Sequence, residues 1–295
     1  MNRLYFIVNP ISGSGQGKAR FADACVVLDA RGADYGFAFT EYAGHAVELT
    51  KKALEDGEKH IVSVGGDGTL REVASVVAEA PGATLGILPF GTGNDFARGV
   101  GLPEDTDKLV SILLAGKTRA IDAGDAGGAF FMNVAGFGFD VDVVRHTEKY
   151  KKKLNGMLPY LLGILKALLH LSRTQLHIET DTGETYDVTA TLFTVCNGSR
   201  FAGGIRIAPL ADPADGLLDV CVLKRVNKAL FLYLLPICIK GNHLKHKKHF
   251  LYFKARSVRA QCETPAPLEL DGELIGAAPA RFTARPGAIT LFTGD

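Results

Sequence analysis

Three glycines and an aspartate, Gly65-Gly66-Asp67-Gly68-Thr69, follow the apolar run Ile61 to Val64 and lead into Leu70-Arg71-Glu72-Val73. Glycines at such a junction leave backbone N–H groups open to an anion, and a helix opening near Gly68 and Thr69 adds its own N-terminal amides. The Thr69 hydroxyl could donate to a phosphate. Asp67 would repel a bare phosphate, so its carboxylate suits a metal ion or a loop hydrogen bond. If this is only a tight turn, Asp67 is a helix cap. A second turn of the same kind, Leu88-Pro89-Phe90-Gly91-Thr92-Gly93-Asn94-Asp95-Phe96-Ala97-Arg98, ends the next apolar run, with Asn94 or Asp95 able to cap the helix after it. A third strand end carries Asn9-Pro10-Ile11-Ser12-Gly13. Three such ends converging on one crevice favour a nucleotide site over three unrelated turns.

The neighbouring Ser12-Gly13-Ser14-Gly15-Gln16-Gly17-Lys18-Ala19 imitates two phosphate motifs and completes neither. A Walker loop needs glycine where Ser12 stands and Ser or Thr where Ala19 stands. A dinucleotide fingerprint needs its third glycine at Lys18. Lys18 then simply opens the first helix.

The elements that must position these turns alternate. Leu4 to Val8, Tyr35 to Glu41, Ile61 to Val64 and Leu85 to Leu88 have strand patterns; Lys18 to Leu28, Ala46 to Glu55 and Leu70 to Glu79 have helical spacing. Such alternation predicts a parallel sheet flanked by helices, with ligands at the carboxyl ends of its strands. Beyond about Asp122 the pattern changes. Phe130 to Phe139 is strand-like and Val143 to Leu171 mostly helical. Gln175 to Thr180 and Tyr186 to Cys196 flank an Asp181-Thr182-Gly183 turn. Leu217 to Leu223, Phe250 to Gln261, Leu268 to Ile275 and Ile289 to Phe292 add strands, and 228 to 239 a helix. The expected architecture is an α/β nucleotide-binding domain over 1–124 and a mainly antiparallel, β-rich domain over 125–295, whose last strand could return to the first domain.

Composition narrows the function classes. The 295 residues are 47% hydrophobic, enough for two sizeable cores. Cys25, Cys196, Cys221, Cys238 and Cys262 are odd in number and lack CxxC spacing, which points to a reduced cytoplasmic compartment and no zinc site. The Leu4 to Val8 run is too short for a signal peptide, and Leu158 to Leu171 is interrupted by Gly163 and Lys166, so no membrane span is expected. Residues 1–142 carry a net charge of −7 and residues 143–295 one of +8. Val220 to Cys262 holds ten Lys or Arg and no carboxylate. Such a surface attracts phosphates.

NPxSG, GGDGTLxEV and PxGTGNDFAR in this order resemble the catalytic domain of the diacylglycerol kinase family, and most closely its soluble bacterial lipid kinases. The likeness continues through Asp122, the segment Pro209 to Asp219 and Leu270-Asp271-Gly272-Glu273, and so spans nearly the whole chain. GGDGT alone also occurs in sphingosine, ceramide and NAD kinases. The resemblance implies a nucleotide domain similar to those of phosphofructokinase and NAD kinase, a β-rich lipid domain, and ATP in the cleft. Asn9, Pro10, Ser12, Gly13, Thr40, Gly65, Gly66, Asp67, Gly68, Thr69, Leu70, Arg71, Glu72, Thr92 and Asn94 would surround ATP, with Asp67 acting through Mg²⁺ or its waters.

The family's general base lies in the DGE element, which reads locally as a hairpin with Asp271-Gly272 at its tip. Glu273 is preferred as the base, Asp271 is the alternative, and Asp122 is a candidate helper. The resemblance also implies a structural Mg²⁺ held by the Asp215 side chain and the carbonyls of Asp212 and Leu217; Pro213 departs from the expected loop. The basic stretches Lys149 to Lys153 and Lys240 to Lys254 suit docking on an anionic membrane surface rather than nucleic acid. The expected function is ATP- and Mg²⁺-dependent phosphorylation of a membrane lipid alcohol, diacylglycerol foremost, at the inner face of the membrane by a peripherally bound cytoplasmic enzyme. A sphingoid base, ceramide or phosphatidylglycerol is the alternative acceptor, and a non-catalytic nucleotide-dependent membrane binder the alternative class. The sequence leaves a homodimer open.

Overall fold

A computed structural model describes residues 3–151, 158–169, 171–263, 266–277 and 280–294. The chain divides into two compact units: Met1–Asp122 with Gly287–Asp295, and Ala123–Pro286. The chain leaves the first unit within a strand at Asp122 and re-enters it within another at Gly287.

The first unit is a parallel α/β sheet. Strands β1 (Leu4–Val8), β2 (Tyr35–Phe39), β3 (His60–Gly65) and β4 (Thr84–Pro89) lie in the order β4-β3-β1-β2, all parallel. Register brings Val8 beside Val64 and Phe39, and Gly65 beside Pro89, so the carboxyl ends of these strands are level. Burial on both faces of β1, β3 and β4 explains their near-continuous apolar runs. The intervening segments are α1, a single turn (Ser12–Gly15) broken by left-handed Gly13 and Ser14, then α2 (Gly17–Ala30), α3 (His45–Glu55), α4 (Asp67–Val77), α5 (Asp95–Gly99) and α6 (Thr106–Ala115). Helix α4 begins at Asp67, slightly earlier than its sequence pattern predicts, because extended Gly66 serves as its N-cap. Helix α6 adds to the expected elements: Asp105 caps its start through a bond from the Lys108 amide and left-handed Gly116 ends it. Strand β5 (Thr118–Ala126) follows.

The second unit is antiparallel, as expected. It contains β6 (Ala129–Phe131), β7 (Val134–Gly138), α7 (Phe139–Lys151), α8 (Leu158–Leu169), β8 (Thr174–Thr180), β9 (Thr185–Cys196), β10 (Leu218–Lys224), α9 (Lys228–Ile239), β11 (Phe250–Ala255), β12 (Ser257–Cys262), β13 (Pro267–Leu270), β14 (Glu273–Ala277) and most of β15 (Ala280–Phe292). Pairing runs β14-β13-β7-β9-β8-β12-β15, with β10 and β11 added beside β9. The last residues of β15 belong to the first unit, where Thr290 and Leu291 pair parallel to Thr84 and Leu85. Three long runs read from the sequence are in fact divided. Phe130 to Phe139 breaks at Met132-Asn133, Phe250 to Gln261 breaks at Arg256, and the helical run 143–171 is two helices with 152–157 and 170 outside the described residues. Lys152 and Lys153 of the first basic stretch also lie outside them.

One side of this sheet packs against α7, α8 and α9 through Phe139, Val143, Leu168, Leu192, Phe231 and Leu234. His243 is wholly buried near that core, its ring 4.7 Å from that of Phe250 and its Nε2 3.0 Å from the Ile207 carbonyl. A carbonyl only accepts, so Nε2 carries the proton. Burial, aided by nearby His246, lowers the pKa of His243 to about 4. An unfolded histidine protonates near pH ~6.5, so the stability present above that pH is lost as pH falls from ~6.5 towards 4, by on the order of 1 kcal/mol per unit. Asp219, raised to about 6 mainly by burial, acts oppositely in this window, because its folded form takes up a proton more readily. The comparison that isolates His243 is therefore with His243→Gln, whose melting temperature should fall less steeply between pH 6.5 and 4.5 than that of the unaltered protein. Parallel slopes would contradict a neutral buried His243.

Candidate active site: a glycine-lined sheet edge and a separate carboxylate hairpin

In the first unit, the loops after β1, β3 and β4 touch one another. A Cβ built on Gly91 would lie 2.3 Å from the Gly66 Cα, and one on Gly13, at φ +58°, 2.4 Å from the Phe90 carbonyl oxygen. Asn9 Nδ2 donates to the Thr69 hydroxyl at 3.1 Å, while its Oδ1 accepts the Ile11 amide at 3.2 Å. Ser12 Oγ donates to the Asn9 carbonyl at 3.0 Å. Thr40 follows β2 and donates its amide to Val8 at 2.8 Å; the Pro10 carbonyl accepts the Lys18 amide at 3.0 Å. Gly65, Gly66 and Gly68 bring the backbone to the start of α4, and Thr92 stands exposed at the tip of the β4–α5 loop. The expected convergence of three strand ends is therefore present. Gly13, Gly66 and Gly91 keep Cβ atoms out of the contacts between these loops, and α4 starts beside them, where a helix N-terminus favours an anion.

Asp67 and Asp95 both lie close to Gly93: a Cβ there would meet Asp67 Oδ2 at 3.0 Å and Asp95 Oδ2 at 3.4 Å. Burial pushes the Asp67 pKa up, opposed by the backbone amides of Phe96, Asp95 and Asn94, the first of these at 3.2 Å from Oδ1. The sequence marks Asp95 only as a candidate helix cap, alternative to Asn94. The signal for its nearness to Asp67 is a second acidic residue in the second glycine turn.

Several residues assigned to the nucleotide have other employment. Leu70 is buried in the core. Glu72 caps α3, accepting the amides of Gly44 at 3.0 Å and Ala46 at 3.2 Å. Asn94 is left-handed at φ 53° and does not cap α5 with its side chain. Its Oδ1 accepts the Gly91 amide and its Nδ2 donates to Pro89 and Gly91 carbonyls, which holds the turn closed. Arg71 is half-buried on α4. Lys18 lies in α2 with its ammonium 5.7 Å from the Phe39 ring centroid, away from any phosphate-loop role. Asp122 is buried and accepts the Gly287 amide at 2.8 Å, which secures the returning chain.

In the second unit, β13 and β14 form the expected hairpin, with Asp271 and Gly272 both at positive φ, as a two-residue turn of this kind requires. The Asp271 carboxylate does not project from the tip. It accepts the amides of Met132 at 2.7 Å, Asn133 at 2.9 Å and Val134 at 2.9 Å, and so anchors the hairpin to the segment entering β7. Charge-assisted bonds of this number make it a structural group. Glu273, one residue past the turn, is exposed.

The Asp212–Leu217 loop is closed by a lysine. Asp215 Oδ1 accepts the Leu217 amide at 3.0 Å and its Oδ2 pairs with Lys254 Nζ at 2.6 Å; Asp219 stands 3.5 Å from the same ammonium. Asp212 Oδ1 accepts the Ala214 amide at 3.1 Å and its carbonyl accepts the Asp215 amide. Among the described residues no cluster of three or more His, Cys, Asp or Glu is arranged for a metal ion. The residues present do not fit the expected Mg²⁺, because the one carboxylate offered to it is already neutralised by an ammonium. Without nucleotide, a chelator should leave the melting temperature unchanged, whereas Lys254→Met should lower it by several degrees. A chelator-induced drop in the unaltered protein would restore the metal.

Sequence models of two known domains match the chain in tandem: the diacylglycerol kinase catalytic domain over residues 3–126 and the YegS C-terminal NAD kinase beta sandwich-like domain over 133–293. The diacylglycerol kinase of Bacillus subtilis (strain 168) is 33% identical over 284 residues, covering 96% of this chain and 93% of that one. The chain belongs to the diacylglycerol kinase family. Its diacylglycerol kinase relative from Staphylococcus carnosus (strain TM300) is 30% identical over 292 residues, 99% of this chain and 95% of the relative. A solved diacylglycerol kinase from Bacillus anthracis str. Sterne has the same fold, with a TM-score of 0.76 and 22% identity over 99% of this chain and 97% of that one. Yeast NADH kinase complexed with NADH shares the fold more distantly, with a TM-score of 0.54 and 10% identity over 100% of this chain and 84% of that one. The fold class expected from sequence, a parallel α/β domain followed by a mainly antiparallel, β-rich domain, is the one observed.

Proposed function

We propose that this protein transfers the terminal phosphoryl group of ATP to the free hydroxyl of a lipid alcohol, diacylglycerol foremost, forming phosphatidate. The observation that carries this reading is the glycine-lined edge of the first unit, where three loops in mutual contact offer backbone amides to a polyphosphate. Phosphoryl transfer asks a protein mainly to position its reactants and neutralise charge, and backbone amides at a helix N-terminus do both. Asn9 and Ser12 brace the loop after β1, and Thr69 and Thr92 offer hydroxyls to phosphate oxygens. Asp67 and Asp95 supply the hard oxygen donors that would hold Mg²⁺ brought with the nucleotide; bound there, the ion would offset phosphate charge. Glu273, exposed and ionisable, takes the proton of the acceptor hydroxyl. That proton transfer contributes a factor of about 10²–10⁴ in general.

A lipid acceptor stays in its bilayer, so the kinase works as a peripheral cytoplasmic enzyme at the inner face. The test is transfer of label from ATP to diacylglycerol, a sphingoid base, ceramide, phosphatidylglycerol and NAD, each offered alone, the lipids in mixed micelles. Diacylglycerol should be labelled fastest. Label on NAD and on no lipid would sink the reading, and a faster rate on another lipid would move the acceptor.

A further inference from the structure

Helices α8 and α9 of the second unit turn apolar side chains outward. Leu158, Leu165 and Leu169 on α8, and Leu232, Tyr233 and Ile239 on α9, are all exposed, Tyr233 by 60% and Leu169 by 55%. They make up half of the large exposed apolar side chains among the described residues, on two short elements. Spacings of seven and four residues put Leu158, Leu165 and Leu169 on one face of α8, and a spacing of seven aligns Leu232 with Ile239 on α9, with Tyr233 next to Leu232. The two helices share a core, with Ala167 and Leu168 meeting the cluster of Phe231, Leu234 and Cys238 from within. They also touch where Lys228 Nζ donates to the Leu169 carbonyl at 2.8 Å. The inward faces are satisfied and the outward faces are not.

Charge identifies the occupant. Exposed Lys166 lies among the α8 leucines, and exposed Lys240, Lys247 and Lys248 follow the α9 stripe within a stretch that contains no carboxylate. A protein partner with ordinary mixed charge would leave part of this rim opposed. A bilayer with anionic headgroups satisfies both features, taking the apolar stripe into the acyl boundary and the lysines at the headgroups. We infer that the α8–α9 face docks on an anionic lipid bilayer, with Leu232, Tyr233 and Ile239 entering the interface. The inference rests on the reading of the chain as a lipid kinase, and it names the surface by which such an enzyme reaches its acceptor.

The chain contains no tryptophan, so Tyr233→Trp provides a single fluorescent reporter. With vesicles of phosphatidylglycerol and phosphatidylcholine, its emission should shift to the blue, be quenched by brominated acyl chains, and lose most of the shift in high salt. Val26→Trp, on an exposed position of α2, should not respond. The pairs Leu232→Glu with Ile239→Glu, and Lys247→Glu with Lys248→Glu, should each reduce vesicle co-sedimentation at least tenfold. Both should keep the unaltered protein's turnover of a water-soluble short-chain diacylglycerol. An emission indifferent to anionic vesicles would overturn the proposal. So would a lipid-independent blue shift that grows with protein concentration, since a second copy would then cover the face. Docking without kinase activity would remove the proposed function and leave the docking surface standing.

Discussion

Glu273→Gln should yield a folded protein whose lipid phosphorylation is slower by a factor of about 10²–10⁴, the contribution of a positioned general base, with nucleotide binding unchanged. The substitution is nearly isosteric, at an exposed residue one step beyond the β13–β14 turn, so little stability is at stake. Asp271→Asn should behave in the opposite way. The asparagine keeps one acceptor oxygen but turns an NH₂ group towards backbone amides, where the carboxylate accepted three of them. A cost on the order of 3 kcal/mol is expected from losing bonds to a charged group and facing donor against donor. Thermal unfolding and single-turnover kinetics on both variants separate the roles. If Asp271→Asn were as stable as the unaltered protein yet inactive, Asp271 would be the base and the assignment to Glu273 would be wrong.

The second large effect is expected at Gly91. Alanine there would bring a Cβ to 2.3 Å from the Gly66 Cα and 2.7 Å from Asn94 Oδ1. The first obstacle is backbone, which cannot rotate aside as a flexible side chain can, so the β3–α4 and β4–α5 loops must separate by an ångström or more. A misplacement of about 1 Å can cost a factor of about 10², and nucleotide affinity measured by calorimetry with a non-hydrolysable ATP analogue should fall by about that much. Gly93→Ala is the graded control. Its Cβ would meet Asp67 Oδ2 at 3.0 Å, a side-chain oxygen able to yield a few tenths of an ångström, and its effect should be several-fold smaller. Unaltered affinity in Gly91→Ala would mean that the two loops need not touch to bind nucleotide.

How far the site could be read in advance depends on the distances over which its bonds reach along the chain. The glycine turns were legible because a turn and the strand and helix beside it are neighbours in sequence. Apolar runs ending in Gly, Asp and Thr report their own conformation. The β13–β14 hairpin was legible for the same reason, as Asp271-Gly272 is a local turn signal. The roles of the carboxylates were not legible. Glu72 finds the α3 amides 26 and 28 residues earlier, and Asp271 finds its three amides 137 to 139 residues earlier. Asn94 stands at the expected N-cap position of α5, but its left-handed backbone turns its side chain away from the helix and towards the loop, which the sequence does not signal. The family resemblance implies Asp215 as a metal ligand, and nothing in the sequence signals that Lys254, 39 residues on, pairs with its carboxylate.

By itself, then, the order of residues determined the alternation of strands and helices in the first 90 residues, the antiparallel character of the second unit, the positions of the glycine turns and the family they resemble. Each of these depends on interactions between neighbours in the chain or on motif spacing. Tertiary structure alone decided which acidic groups remain for chemistry and which are consumed as anchors and caps. It also brought Asp67 and Asp95 together beside Gly93, and left one face of α8 and α9 uncovered. Those outcomes depend on which distant amide, lysine or helix arrives beside a side chain, and only packing brings them there.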